Sequence, residues 1–335
     1  YIGEGELIVG EKGPAPKAVP TYPELCCHTL QDLTVLDRRE KVAYAVDDDA
    51  RALHEDLLCP FWEERSMRDL ILSQMTDAWH DAYAAGIFTE FMEQRSPGHT
   101  VLDDKIYRKG MIDFKADIQR SLDNLDFIAD PKAYDKQEEL RAMAIVADGI
   151  MRLAERHAET LSALAVLESD PVRRAELEQI AEICTRVPAH PPRSFWEALQ
   201  YYWFVHLGVT TELNPWDAFN PGRLDQHLFP FYEAGLADGS LTREKAEELL
   251  HCFWIKFNNQ PAPPKVGVTA AESSTYTDFA QINTGGVKED GSDAVNEVTY
   301  LLLDVIEEMR LLQPSSSVQL SKKSPDRFIQ RAAQI

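Results

Sequence analysis

Three short stretches of the sequence place polar side chains next to prolines or glycines: residues 88–100, 212–225 and 272–286. Together they offer a histidine, carboxylates, hydroxyl groups and aromatic rings. Groups of this kind on loops are often the binding and catalytic residues of a protein. No dinucleotide fingerprint, phosphate-binding loop, zinc-protease helix or serine nucleophile elbow occurs. The three stretches therefore favour a pocket for a small polar substrate.

The stretch from 212 to 225 holds a carboxylate between large rings. Asp217 lies between Trp216 and Phe219, after an apolar run that prolines and Gly222 interrupt. Proline fixes φ and glycine permits positive φ, so the turn can present Asp217 at the end of a buried element. Asp is also a common cap for a helix or turn. Spacing alone leaves both interpretations open.

The other two stretches have the same ambiguity. His99 follows the turn at Pro97 and Gly98, and a histidine there can take or give a proton near neutral pH, or simply lie on a surface loop. Residues 272–279 include Ser273, Asp278 and Phe279, which suit either a binding site or a capped turn.

The composition is that of an acidic globular protein. The chain has 335 residues, a formal net charge of -22 and 44% hydrophobic residues, enough for one large domain or two ordinary ones. The negative charge would repel nucleic acid and anionic membranes, so neither is expected as a partner. No apolar run reaches the roughly 18 residues of a membrane span, and the N-terminus shows no signal peptide. We expect a cytoplasmic protein.

The cysteines are odd in number and scattered, which argues for a reducing compartment rather than a disulfide framework. They are Cys26, Cys27, Cys59, Cys184 and Cys252. His28 follows the adjacent pair, but no second ligand pair follows, so no metal site is expected.

Helical spacing dominates the chain, with short apolar runs between the helices. Helices are predicted over residues 136–187 with a break at Pro171, from Ser194 through His206, over 242–258 and over 294–312, and at 324–335 with Ser324 as the N-cap. Residues 7–10 predict a strand or an extended segment, and 266–269, 280–283 and 318–320 predict strands. This alternation indicates a helix-rich α/β fold with a buried sheet.

Several motifs resemble those of the glycyl radical enzymes of the pyruvate formate-lyase superfamily. They are GELIVGEKG at 5–13, FMEQRSPGHT at 91–100, PGRLDQH at 221–227 and VGVT at 266–269. The version TELNPWDAF at 211–219 is most similar to the branch that dehydrates trans-4-hydroxy-L-proline. The resemblance covers essentially the whole chain.

This resemblance implies a fold and a reaction. The fold is the N-terminal half of a ten-stranded β/α barrel, and residues 1–335 are the N-terminal part of one such domain. The reaction is radical dehydration of trans-4-hydroxy-L-proline to (S)-1-pyrroline-5-carboxylate, a lyase reaction. The family also implies a posttranslational glycyl radical with no bound cofactor, a radical S-adenosylmethionine activating enzyme, a homodimer and an anaerobic cytoplasm.

The resemblance also assigns site residues. Asp217 and His99 are implied as catalytic groups, and the implied substrate-binding residues are Phe91, Ser273, Asp278 and Phe279. None of the five cysteines matches the family's radical motif. The catalytic cysteine and the radical glycine are therefore expected beyond Ile335, in a longer protein, since the chain starts without Met and stops within a predicted helix.

Two alternatives stay open. Arg95 suits contact with an anion, which favours a relative acting on a diol or a hydroxysulfonate. The absent cysteine and glycine suit a non-catalytic helical scaffold, should the chain be complete as given.

Overall fold

The computed structural model describes residues 1–11, 13, 18, 30–38, 43, 45–65, 67–87, 102–212, 220–259 and 280–335. Helices dominate these ranges. They are α1 (Leu30–Arg38), α2 (Asp48–Leu53), α3 (Cys59–Trp62), α4 (Met67–Gln74), α5 (Asp77–Ala84), α6 (Met111–Asp123), α7 (Ala133–Leu167), α8 (Pro171–Arg186), α9 (Phe195–Glu212), α10 (Leu224–Asp238), α11 (Arg243–Asn259), α12 (Glu297–Met309) and α13 (Asp326–Gln334). A π-helical turn joins α2 to α3, and a 3-10 turn spans Asp103–Tyr107. No helix in these ranges is long and apolar enough to cross a membrane.

Two parallel strands flank α12 in the chain, as in a β-α-β unit. They are β1 (Gln281–Gly285) and β2 (Ser315–Gln319), with Gln281 opposite Ser315. The first strand confirms the prediction at 280–283. The second begins three residues before the predicted 318–320, because the backbone of the serine run pairs with β1 although its side chains are not apolar.

Helix α9 forms the centre of the core and is buried on nearly every side. Its largest fully buried side chains include Phe195, Tyr201, Tyr202, Trp203 and Phe204. A helix that is apolar all round must be covered by other elements, and α7, α8, α10 and α11 all contact it. The prediction of a helix from Ser194 through His206 is confirmed, and the helix continues to Glu212.

The N-terminal segment runs along α9 and is held by side chains of that helix. We call residues 7–10 the strap. Trp196 Nε1 donates to the Leu7 carbonyl at 2.8 Å, and Trp203 Nε1 donates to the Gly10 carbonyl at 2.9 Å. Between them, the Gln200 amide accepts from Val9 N and donates to Val9 O, both at 2.8 Å. The strap is not a strand, because the side chains of a helix supply the partners that a neighbouring strand would supply.

A buried ion cluster holds the end of the strap against α11. Lys256 is only 2% exposed and donates to Glu11 Oε1 at 2.6 Å, with Glu6 as a second carboxylate partner. Burial raises the pKa of Glu11 to about 7. The cluster ties two segments that are far apart in sequence.

The predicted break at Pro171 is confirmed, since Asp170 caps α8 by accepting from Val172 N at 3.0 Å. The large apolar residues of 136–167 recur at helical spacing, which predicts that they form the buried face of α7, and this prediction is largely wrong. The buried positions of α7 are mostly alanines, and only one of the large residues, Leu161, is fully buried. Met143, Val146, Leu164 and Leu167 are exposed by 48%, 45%, 38% and 81%; Ile150 and Leu153 pack at the edge of the core. Small side chains face the neighbouring helices α6 and α8, because they let the backbones approach closely.

Helix ends differ from the predictions in two places. α12 begins at Glu297 rather than at 294, because the Asn296 side chain accepts from Val298 N and Thr299 N. Ser324 is not the cap of α13, since its hydroxyl accepts instead from Ser321 N at 2.9 Å and closes the preceding turn. Thr242, the first residue of the predicted 242–258 helix, caps α11 by accepting from Lys245 N at 3.1 Å.

Candidate functional site

A polar cavity of about 200 Å³ lies where four separate segments of the chain meet. One segment is the 3-10 turn, the second leads into α10, and the third and fourth are the carboxyl ends of β1 and β2. The lining residues are Asp103, Gly222, Arg223, Asp225, Asn283, Gly285 and Gln319. Gln319 comes from the end of β2, so the carboxyl ends of both parallel strands face the cavity. Ligands of α/β proteins characteristically bind at this edge of a sheet.

Asp225 is the buried carboxylate of the cavity wall and is 1% exposed. Its Oδ2 accepts from Gly285 N at 2.8 Å and from Thr299 Oγ1 at 2.7 Å, while its Oδ1 accepts from Gln226 N at 2.9 Å. The Asn296 amide donates to the Asp225 backbone carbonyl at 3.3 Å. One residue therefore joins α10, β1 and α12.

Opposing effects act on the charge of Asp225. Burial raises the pKa of its carboxyl, and the hydrogen bonds from Gly285 N, Thr299 Oγ1 and Gln226 N oppose that rise. Gly285 itself has a φ of +78°, and a Cβ there would lie 2.5 Å from Phe328 Cζ. A glycine is therefore needed at the point where the backbone donates to Asp225.

A histidine–carboxylate pair adjoins the cavity, formed by Asp103 of a strained turn and His227 of α10. Leu102 and Asp103 have φ values of 57° and 44°, in the left-handed region that residues with a Cβ rarely adopt. Asp103 Oδ1 lies 3.0 Å from His227 Nε2, and the His227 ring stacks on Tyr107 with 5.2 Å between centroids. Such strain is often retained at binding sites.

Burial lowers the pKa of His227, and the neighbouring Asp103 carboxylate opposes that effect. In the tautomer with the proton on Nε2, His227 donates a hydrogen bond to Asp103 Oδ1. Burial, and secondly the Asp103 charge, raises the pKa of the Tyr107 hydroxyl well above its usual range. The cavity can thus orient a small polar molecule with carboxylates, amides and the Arg223 guanidinium, beside a pair able to hold a proton.

The predicted site residues lie outside the described part of the chain. They are Phe91, His99, Asp217, Ser273, Asp278 and Phe279, and Arg95 also lies outside the described residues. Their roles stay predictions. The sequence interpretation missed Asp225, Asp103 and His227 as site residues. A signal existed for two of them, since Asp225 and His227 belong to the PGRLDQH motif directly after the Asp217 turn.

The three described cysteines do not line the cavity. They are Cys59, Cys184 and Cys252. Burial raises the pKa of the Cys184 thiol well above its usual range and also raises the pKa of Cys252.

Comparison with known proteins assigns the family. The model of the pyruvate formate lyase-like family matches residues 1–335. The chain belongs to the pyruvate formate lyase-like family. Trans-4-hydroxy-L-proline dehydratase of Clostridioides difficile is 57% identical over 334 residues, which are 100% of this chain and 42% of that protein. An isethionate sulfite-lyase of Nitratidesulfovibrio vulgaris is 31% identical over 350 residues, again 100% of this chain and 42% of the relative. The chain thus spans less than half the length of these relatives.

Solved structures agree with the fold. The crystal structure of hydroxyproline dehydratase from Clostridioides difficile with trans-4-hydroxy-L-proline bound matches with a TM-score of 0.90 at 56% identity, covering 100% of this chain and 42% of that one. The glycerol-bound glycerol dehydratase of Clostridium butyricum matches with a TM-score of 0.84 at 28% identity, with the same coverage. The chain therefore has the helix-rich α/β fold of part of a glycyl radical enzyme barrel, as predicted.

Proposed function

We propose that this chain forms part of the substrate pocket of a glycyl radical dehydratase that converts trans-4-hydroxy-L-proline to (S)-1-pyrroline-5-carboxylate. Residues 1–335 would be the N-terminal part of one such domain. The identity of 57% to the Clostridioides difficile dehydratase supports the substrate. The convergence of four segments at one polar cavity supports the location.

Chain connectivity links the cavity to the predicted site residues. His99 is four residues before Asp103, Asp217 is five before Gly222, and Phe279 is four before Asn283. Asp103, Gly222 and Asn283, the described residues that follow the three predicted clusters, all line the cavity. This supports the proposal that the three clusters contribute to one substrate pocket.

The residues supply complementary chemistry. A hydroxyl that leaves as water needs a proton, which His99 or Asp217 would deliver as a general acid. Phe91 and Phe279 would cover the apolar ring of the substrate, while Ser273 and Asp278 would bind its polar groups. The glycyl radical, expected outside this chain, supplies hydrogen abstraction when present. This chain's contribution is binding, orientation and proton transfer.

A second candidate is a lyase or dehydratase for another small alcohol. An isethionate sulfite-lyase of Oleidesulfovibrio alaskensis is 32% identical, and a (2S)-3-sulfopropanediol dehydratase of Klebsiella oxytoca is 28% identical. Arg95 would contact the sulfonate in that case. The lower identity of these relatives makes this the weaker candidate.

The proposal includes the partners that such an enzyme needs. They are a radical S-adenosylmethionine activating enzyme and, for the family, a second copy of the same protein. The radical requires exclusion of oxygen, so the proposed setting is an anaerobic cytoplasm.

The test uses the full-length parent protein, activated without oxygen by its activating enzyme. We expect pyrroline carboxylate from trans-4-hydroxy-L-proline, and a loss of kcat of about 10²–10⁴-fold in Asp217→Asn and His99→Asn. Glu138→Gln, on the exposed side of α7, is the control that should keep normal turnover. Turnover of isethionate or a diol but not of hydroxyproline would overturn the substrate. Normal kcat in both site variants would overturn their roles.

A further inference from the structure

Three side chains with metal-binding groups converge between α11 and α12, and none of them lines the cavity described above. They are Glu247, His251 and Glu308, and one donor atom of each lies within 4.8 Å of the other two. Glu247 and His251 are four residues apart on α11, which places them on the same face one turn apart. Glu308 comes from the last turn of α12.

The histidine ring has an unsatisfied atom at this point. His251 Nε2 is inaccessible to solvent and makes no hydrogen bond within the described part of the chain. It lies 3.1 Å from Glu308 Oε2, but not in hydrogen-bond geometry. A buried polar atom without a hydrogen bond costs about 1–3 kcal/mol, so this nitrogen is placed for another ligand.

The two carboxylates also differ from their neighbours on the same helices. Asp304 pairs with Arg243 and Arg331, and Glu248 pairs with Lys245. In the described ranges, by contrast, no lysine or arginine forms an ion pair with Glu247 or Glu308. Their negative charge is thus left for the histidine and for a bound cation.

We propose that Glu247, His251 and Glu308 form a Zn²⁺ site that connects α11 to α12. One imidazole nitrogen and two carboxylate oxygens suit zinc, and water would complete a tetrahedron. Bonds of about 2.0–2.1 Å place tetrahedral ligands about 3.3 Å apart. The His251 Nε2 to Glu308 Oε2 distance of 3.1 Å is close to this value, and Glu308 is half-exposed. Calcium and magnesium are excluded as preferred ions, because they favour sites made of oxygen ligands alone.

The site has a mechanical consequence that does not depend on the proposed dehydratase activity. α11 carries Lys256, which holds the strap, and α12 carries Thr299, which binds Asp225. A metal bound between these helices stabilises the folded protein by an amount that grows with the logarithm of the ligand excess over Kd. It would therefore strengthen the packing that connects the strap region to the cavity wall.

The test measures metal binding by the purified full-length protein and its variants. Zinc-stripped protein is titrated with ZnCl₂ by calorimetry, and Tm is followed with and without zinc. We expect about one additional zinc ion for the wild type relative to His251→Ala, and at least tenfold weaker binding in Glu308→Gln. Cobalt should give a ligand-field spectrum that His251→Ala lacks.

Two controls separate this site from others. Glu248→Gln is the neighbour on the same helix that pairs with Lys245, and His80→Ala removes an exposed histidine on α5; both should bind zinc as the wild type does. Circular dichroism checks the fold of each variant, and the exposed Glu308→Gln serves where His251→Ala does not fold. Equal stoichiometry and affinity in the wild type, His251→Ala and Glu308→Gln would overturn the proposal, as would the absence of zinc binding.

Discussion

The strap on α9 and the cavity at β1 both place loop backbone against buried elements, and both rely on side chains of residues distant in sequence. They differ in whether the polar groups are all used within the fold or are left facing a cavity. In the strap, Trp196, Gln200 and Trp203 satisfy the backbone groups from inside the core. At the cavity, Asp225 accepts hydrogen bonds from Gly285 N and Thr299 Oγ1. Asp103 and Arg223, by contrast, line the open volume with polar atoms.

The difference separates a stabilising region from a binding region. In the strap, the carbonyls of Leu7, Val9 and Gly10 and the N–H of Val9 bond to buried indole and amide groups, so these backbone groups are not open to a ligand. The cavity retains carboxylates, a guanidinium and a strained turn, which cost stability unless a partner uses them. Changes in the strap should therefore affect stability most, and changes in the cavity wall should affect it less.

Trp203→Ala should have the largest effect on the free energy of unfolding. The variant removes a fully buried indole and its bond to Gly10, so we expect a loss of about 3–5 kcal/mol in urea denaturation. Trp203→Phe keeps an aromatic ring and should lose much less. A loss below about 1 kcal/mol for the alanine variant would show that the strap does not depend on α9.

Asp225→Asn should cost about 1–3 kcal/mol, because a single amide oxygen replaces two carboxylate acceptors. Amide hydrogen exchange should become faster at Gly285, whose N–H donates to Asp225 Oδ2. Thr299→Val, which removes one donor to the same oxygen, should have a smaller effect. If Asp225→Asn left the Gly285 exchange rate unchanged, the cavity wall would not be held by this residue.

Glu11 should make the strap sensitive to pH. Its pKa is about 7 in the folded protein and 4.5 without the fold, so the folded state keeps a proton that the unfolded state releases. Stability should therefore fall as pH rises between these values and level off above 7. Between pH 5.5 and 7 we expect a fall of about 1–2 kcal/mol relative to Glu11→Gln. Parallel pH profiles for the two proteins would contradict this.

Arg223→Gln should have the smallest effect on stability. The side chain lines the cavity from an exposed position, and substitutions at such sites change the free energy of unfolding by less than about 0.5 kcal/mol. Urea denaturation beside Asp225→Asn provides the comparison. A loss above 1 kcal/mol would mean that Arg223 belongs to the structural wall instead.

Sequence patterns predicted the helices well where a cap and a proline mark the boundary, as at Asp170 and Pro171. They failed where burial depends on the neighbouring helix: Met143 and Leu167 have the residue types of a core but lie on the exposed side of α7. The predicted start of β2 was wrong for a similar reason, because pairing of the serine backbone with β1, which is distant in sequence, determines where that strand begins. For the site, the sequence predicted three polar stretches, at 88–100, 212–225 and 272–286. The predicted site residues Asp217, His99 and Ser273 lie outside the described residues.

The sequence by itself determined the family, the helix-rich α/β class and the three polar segments, because these depend on residue types, local spacing and motifs. The tertiary structure decided which backbone groups each side chain satisfies. Asp225 bonds Gly285 and Thr299, 60 and 74 residues away, and Lys256 bonds Glu11 across 245 residues. Such contacts follow from the packing of whole elements, and no local pattern encodes them.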